Sequence, residues 1–421
     1  MITRLEALRF KSLRSLSQPL RRFNVLVGAN ASGKSSFLDA IQFIADVVRE
    51  GPGAAIVKRT DNFMDLAWQR AGDFIELAIE VRIPEQIIAR GKTPDYDQLR
   101  YELQVGFLDQ KNGQAREYGI LGERLFLMTS ARPRESVYRR LFPEIQPDIK
   151  VFSSARSQRG FRRVVAKATN DNFYSEVEGN KGKGWIPAFR FGPHKSALGN
   201  LPDDGRRFPA ATWLRSFLAE GIQEIALNGR KIRESSPPGQ GSRFLPDGSN
   251  LPWVVDELRQ IRPQAFRDWV RHSQVAFPEI QSIEVGTRED TRHKYLIVDY
   301  RGNLQAPSWV VSDGTLRFLA LTLLAYLGKP DSVSLIEEPE NGIHPKAIEF
   351  LFESLSSEQA GQVLLATHSP IALKSVRSDD ILCFAKKDGA TDVVRGGDHP
   401  ALRDWKDDGT LDGLFASGLL G

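Results

Sequence analysis

Hydrophobic and polar positions fall into ordered stretches at the two ends of the chain, with a looser stretch between them. Residues 5–11 alternate weakly, and an apolar run over 23–27 stops at Gly28. That pattern predicts a buried strand feeding a Gly-rich turn. Beyond Ser35 the period changes. Phe37, Leu38, Ile41, Ile44, Ala45 and Val48 recur at helical spacing, and Gly51-Pro52 should end the helix. Residues 74–81 and 101–107 alternate as strands. After about residue 280, strands are predicted over 295–300, 332–336 and 362–366, and helices over 315–327 and 345–355. Strands alternating with helices indicate a parallel or mixed α/β sheet. Since both ends carry such segments, the sheet is expected to be assembled from both.

From about 110 to 250 the chain is rich in Gly, Pro, Arg and short polar stretches, including G-N-K-G-K-G at 179–184 and S-S-P-P-G-Q-G-S at 235–242. These read as loops and linkers between small elements. No long heptad array or internal repeat is apparent. The expected division is 1–110 and 281–421 as two parts of one α/β unit, with 111–280 an inserted α+β middle lobe.

Composition adds less than distribution does. The formal net charge of +4 says little, yet 131–167 holds ten basic residues (Arg132, Arg134, Arg139, Arg140, Lys150, Arg156, Arg159, Arg162, Arg163, Lys167) and three acidic ones (Glu135, Glu144, Asp148). That segment is either a solvated face or a surface for the phosphate backbone of DNA. The N-terminus is charged throughout and lacks the apolar core of a signal peptide. The longest apolar run, over 316–327, contains Arg317 and is too short to span a bilayer. The single cysteine, Cys383, lies in an apolar run and reads as a buried strand residue, so no disulfide within the chain is available. A cytoplasmic protein without a membrane partner is expected.

The chemistry concentrates in four short stretches. Gly28-Ala29-Asn30-Ala31-Ser32-Gly33-Lys34-Ser35 fits G-x-x-x-x-G-K-[ST] between a predicted strand and a predicted helix. Glycines let successive N–H groups curl around phosphates, Lys34 reaches the β and γ oxygens, and the Ser35 hydroxyl ligates Mg²⁺. ATP and Mg²⁺ are the implied ligands. A second apolar strand runs into Glu337-Glu338-Pro339-Glu340. Adjacent strand residues face opposite ways, so Glu337 and Glu338 should divide the work, one toward the metal and one toward the attacking water. A third strand ends in Ala366-Thr367-His368-Ser369-Pro370, which presents His368 at the same sheet edge. Finally, Ser312-Asp313-Gly314-Thr315 opens an apolar helix, a second phosphate-seeking helix start far from the first. The six histidines show no metal-ligand spacing, so no structural zinc is expected.

G-A-N-A-S-G-K-S, S-D-G-T-L-R, L-I-E-E-P-E-N-G-I-H-P and L-L-A-T-H-S-P, in that order, resemble the ABC-type ATPases of the SMC/RecF class. The likeness is closest to compact bacterial AAA family ATPases grouped with the ATPase parts of OLD-family nucleases and other phage-defence systems. It covers 244–421 along most of its length and 1–90 around the P-loop. The resemblance implies an ATPase head formed by 1–110 and 281–421. Gly28, Asn30, Ser32, Gly33, Lys34, Ser35 and Ser36 would contact nucleotide. Ser35 and Glu337 would ligate Mg²⁺, with Gln69 as the candidate Q-loop ligand. Glu338 would be the catalytic base, His368 the γ-phosphate switch, and Ser312 to Thr315 the signature that caps the nucleotide of a second subunit. A slow ATPase switch, regulated by partner or DNA, is expected. It would dimerise on ATP and act in anti-phage defence. Only 53 residues follow His368, too few for the nuclease domain of OLD proteins, so a nuclease or toxin effector is expected as a separate protein. A RecF-like repair factor and a nucleotide-binding scaffold with little turnover are the competing readings.

Overall fold

In a computed structural model of the protein, residues 1–91, 96–108, 116–129, 139–152, 160–168, 171–175, 185–241, 243–328, 331–357 and 361–403 are described. The centre is a six-stranded sheet in the order Ile222–Ile225, Val333–Glu337, Gln362–Ala366, Phe23–Gly28, Ile381–Lys387, Ala390–Arg395. The first five strands are parallel and the sixth returns antiparallel. The N-terminal strand Phe23–Gly28 therefore lies between two C-terminal strands in one sheet, as the two-ended pattern predicts.

Alternation along these strands sorts the core. Leu26, Leu335, Leu364, Leu382 and Phe384 pack on one face with Phe37, Leu38, Ile41 and Ile44 of the helix Lys34–Glu50. Val25, Val27, Ile336, Val363, Leu365 and Cys383 pack on the other with Leu316, Phe318 and Leu319 of the helix Asp313–Leu323. The two phosphate-seeking helices thus lie on opposite faces of the same sheet. Cys383 is fully buried, and burial pushes its thiol up to about 12, the inert state expected of a core cysteine.

An eight-stranded antiparallel sheet covers the far side of the Lys34–Glu50 helix. Its order is Leu13–Pro19, Ile2–Phe10, Phe74–Arg82, Gln98–Phe107, Tyr118–Met128, Phe161–Ala168, Asp171–Ser175, Trp185–Arg190. One face is apolar and joins the core around that helix. The other is charged, with Arg100 donating to Glu6, Glu80 and Glu102 at 2.6, 3.0 and 2.7 Å. A three-stranded sheet, Ile280–Thr287, Lys294–Tyr300 and Leu304–Pro307, precedes the Asp313–Leu323 helix.

The stretch 111–280 does not stand apart from the rest. Its strands Tyr118–Met128 and Phe161–Ala168 extend the sheet begun by Ile2–Phe10, and Ile222–Ile225 pairs with Val333–Glu337 in the centre. Gln98–Phe107 and Tyr118–Met128, on either side of residue 110, are hydrogen-bonded neighbours. Tyr118–Met128 escapes a periodicity reading because it carries Glu123 at a fully buried position. That carboxylate accepts from Tyr101 Oη, Ser196 Oγ, Ala197 N and Leu198 N, so a polar residue occupies a core site fully satisfied.

The arginine-rich segment likewise differs from a continuous basic surface. Arg132, Arg134, Arg156 and Arg159 lie outside the described residues. Of the others, Arg139 pairs with the buried Asp392, and Lys167 is buried against the carbonyls of Gly192 and Lys195. Both charges are drawn inward by internal acceptors. Arg140 and Lys150 are exposed. No described helix is long and apolar enough to cross a membrane.

Candidate nucleotide site

The register of the parallel strands brings the motifs to one edge. Glu337 pairs with Ala366, and Ala366 with Leu26, so Gly28, Glu337 and His368 all follow the C-terminal ends of neighbouring strands. Backbone bonds continue the alignment. Glu338 N donates to Ala366 O at 2.8 Å and Thr367 N to Leu26 O at 3.1 Å. Ligands in open α/β sheets bind at this edge.

The loop 28–35 is held by positive φ at Gly28, Ala31 and Gly33. A Cβ at Gly28 would overlap the Phe384 carbonyl, and one at Gly33 would overlap Thr391 Oγ1. Glycine is therefore required at both places by dihedral and by space. Lys34 folds back over the loop and donates to Gly28 O at 2.8 Å and Ala29 O at 3.0 Å. Burial lowers its ammonium to about 8, against the opposing pull of Glu337 and Glu338. Among the described residues, Ser32 Oγ is buried and has no hydrogen-bond partner. Ser36 is half-buried in the first turn of the helix, whereas Asn30 is exposed.

Glu337 and Glu338 do divide. Glu337 Oε2 accepts from Ser35 Oγ at 3.1 Å, which joins the two residues expected to share the metal. Glu338 turns away in the left-handed region, φ 47°, a conformation costly for a side chain with a Cβ. Its Oε2 accepts from Asn341 Nδ2 at 2.5 Å, and its Oε1 lies 4.0 Å from His368 Nε2. Gln69 also has positive φ, but its amide lies against Gly389; among the described residues it makes no hydrogen bond to Ser35 or Glu337.

Glu340 escapes sequence reasoning. Its Oε1 accepts from Thr367 Oγ1 at 2.6 Å and His368 N at 3.0 Å, so it ties the switch turn to the acidic loop. The neighbouring Asn341 holds Glu338, and the Gly342 carbonyl lies so close to Gly314 that a Cβ there would overlap it. The only signal for Glu340 is its place in E-E-P-E-N-G, where the first two carboxylates draw the attention. Glu340→Ala should lower turnover about tenfold at unchanged nucleotide affinity, because His368 loses its anchor. Glu340→Gln keeps an acceptor oxygen and should recover most of that loss. Full turnover in the alanine variant would reduce Glu340 to loop packing.

The helix Asp313–Leu323 is capped by Ser312, whose Oγ accepts from Thr315 N at 3.1 Å and lies 2.7 Å from Thr315 Oγ1. Asp313 accepts from Arg317 Nε at 2.6 Å. This helix start makes no described hydrogen bond to the loop 28–35, in keeping with its place on the opposite face.

The donors fit ATP with Mg²⁺. A buried lysine lies over the loop carbonyls, glycines stand at Gly28 and Gly33, and a hydroxyl–carboxylate pair stands at the rim. Fold and site together define an ABC-type ATPase head of the SMC/RecF class. The family model described as "AAA domain, putative AbiEii toxin, Type IV TA system" matches residues 23–374, and the chain belongs to that family. No curated protein matches it in sequence. The crystal structure of the SmcHead bound to the C-winged helix domain of ScpA aligns over 93% of this chain and 97% of its own, at TM-score 0.53 and 15% identity. An Smc head with an extended coiled coil, bound to the C-terminal domain of ScpA derived from Pyrococcus furiosus, aligns at TM-score 0.49 and 15% identity, over 93% and 95%. The SMC head domain from Thermotoga maritima aligns at 0.43 and 11%, over 94% and 98%. The first of these likenesses concerns fold alone; the other two are too distant to argue from.

Proposed function

We propose that the protein is an ATP-hydrolysing switch that pairs with a second copy of itself on ATP and governs a separate effector. The observation that carries this reading is the meeting of Lys34, Ser35, Glu337, Glu338 and His368 at one sheet edge. Bound ATP with Mg²⁺ would supply the phosphoanhydride bond and the divalent charge that polarises it. Lys34 and the loop N–H groups hold the phosphates, and Ser35 with Glu337 holds the cation. Glu338 accepts the proton of the attacking water, and His368 meets the terminal phosphate.

The second helix start supports the pairing: Ser312 makes no hydrogen bond to the loop 28–35 among the described residues, and in a two-fold dimer it would cap the nucleotide of the partner. The effector is proposed as a toxin or nuclease of a defence or toxin–antitoxin system, a reading supported by the family description. Direct DNA contact gains no support from Arg139 or Lys167, whose charges are engaged internally.

Purified protein should hydrolyse ATP only with a divalent cation. Lys34→Ala should weaken a fluorescent ATP analogue about a hundredfold, the worth of a lost charge-assisted contact. Binding without hydrolysis, with effector present, would favour the scaffold reading; wild-type affinity in the alanine variant would remove the nucleotide site.

A further inference from the structure

The strand Ala390–Arg395 closes the central sheet, and its second residue reaches into the nucleotide loop. Thr391 is 3% exposed. Its Oγ1 donates to the Ser32 carbonyl at 2.8 Å and lies 2.9 Å from Ser12 Oγ, while its N–H donates to Ser12 O at 2.9 Å. The Ser32 carbonyl and the Gly33 N–H belong to one planar trans peptide and point in opposite directions. Holding that carbonyl against Thr391 therefore aims the Gly33 N–H the other way, toward the side where the loop would take a phosphate. The absence of a Cβ at Gly33 is what lets Thr391 approach.

The next residue explains why the strand stays in register. Asp392 is 2% exposed and, by alternation, projects from the other face of the strand. Its carboxylate accepts from Arg139 Nη1 at 2.5 and 2.7 Å, from Glu144 N at 2.8 Å and from Val393 N at 3.0 Å. Arg139 also donates to Val393 O at 3.3 Å. An arginine of the basic segment is thus fastened to the strand one residue away from the hydroxyl that holds the nucleotide loop.

We propose that Thr391 is a positioning residue for nucleotide binding, kept in register by the Arg139–Asp392 ion pair, so that the arginine-rich segment is mechanically joined to the P-loop. The proposal rests on the nucleotide-site reading given above. It gives Arg139 a role that does not require it to touch nucleic acid.

Thr391→Val keeps the shape and removes the hydroxyl; Thr391→Ser keeps the hydroxyl. The valine variant should weaken a fluorescent ATP analogue on the order of tenfold, the loss of one buried hydrogen bond, and raise KM for ATP equally. Its kcat should stay within about twofold, and serine should restore affinity to within about twofold. Arg139→Gln should weaken affinity in the same direction, by about threefold. Amide exchange of the peptide spanning 28–36, measured without nucleotide, should quicken in the valine and glutamine variants and not in the serine variant. Unchanged exchange and affinity in Thr391→Val would overturn the proposal. So would equal losses of melting temperature, affinity and kcat that serine fails to rescue. If the valine variant does not fold, serine and Arg139→Gln decide: a serine variant as weak as an unanchored loop, or a glutamine variant indistinguishable from wild type, would refute it. If wild-type protein binds no nucleotide, the ATPase reading falls, and the exchange measurement still decides whether Thr391 holds the loop.

Discussion

Glu338→Gln should bind ATP within about threefold of wild type and hydrolyse it about a thousandfold more slowly, the usual worth of a general base. Glutamine keeps the size and the hydrogen-bonding reach of the side chain, but its amide cannot take up the proton of the attacking water. The backbone supports the assignment. Glu338 sits at φ 47° with its N–H on Ala366 O, so its side chain is turned from the face on which Glu337 meets Ser35. Its own neighbours are Asn341 and His368. Equilibrium binding and single-turnover hydrolysis separate the two effects, and a longer-lived ATP-dependent dimer should accompany the slow step. Glu337→Gln should behave differently, raising the Mg²⁺ concentration needed for binding. An unchanged hydrolysis rate in Glu338→Gln would move the base elsewhere. Glu340 would not be the natural heir, since one of its oxygens already holds Thr367 and the His368 N–H.

Features that follow a local rule are legible in the sequence. The strand Phe23–Gly28, the helix Lys34–Glu50 and the strands ending at Glu337 and Ala366 each carry their own periodicity and their own terminators. The P-loop and the acidic strand end can therefore be placed from neighbouring residues alone. The eight-stranded sheet is legible only in part: 74–81 and 101–107 show as strands, but Tyr118–Met128 and Phe161–Ala168 do not, because Glu123 and Lys167 stand buried there and are satisfied by partners distant in sequence. The predicted helix over 315–327 also changes character near its end. Asp313–Leu323 is α-helical and Leu324–Tyr326 tightens into a 3₁₀ turn. In the site, residues with a chemical signature are legible and residues that only hold others are not. Glu340 and Thr391 act through a backbone N–H and a loop carbonyl. Among its described residues the basic segment is not one surface, because charge counts ignore internal acceptors such as Asp392.

Ser312→Arg should bind ATP as wild type does yet lose turnover by about a thousandfold, because a bulky cation at the helix start blocks the face that meets a partner's nucleotide. In the free chain Ser312 only caps its own helix, through Thr315 N, so the loss of a cap alone would cost about 1 kcal/mol of stability and leave hydrolysis intact. The two interpretations separate cleanly in a mixture. Ser312→Arg keeps a whole P-loop and lacks a usable signature; Lys34→Ala keeps the signature and lacks the phosphate lysine. If each ATP is shared between two chains, a mixed dimer contains one intact composite site. Mixing the two inactive variants in equal amounts should then restore up to about half of wild-type turnover, since neither variant pairs with itself on ATP and each mixed dimer carries one of two sites. Gel filtration with ATP should show the dimer in the mixture and not in Ser312→Arg alone. If the mixture stays inactive while both variants remain folded, the signature does not act across a dimer. If Ser312→Arg alone hydrolyses ATP normally, the second helix start is a cap and nothing more. Restoration would instead explain the spacing of the two motifs physically. The two helices pack on opposite faces of one sheet, and restoration would mean that the second helix start completes a site on another chain.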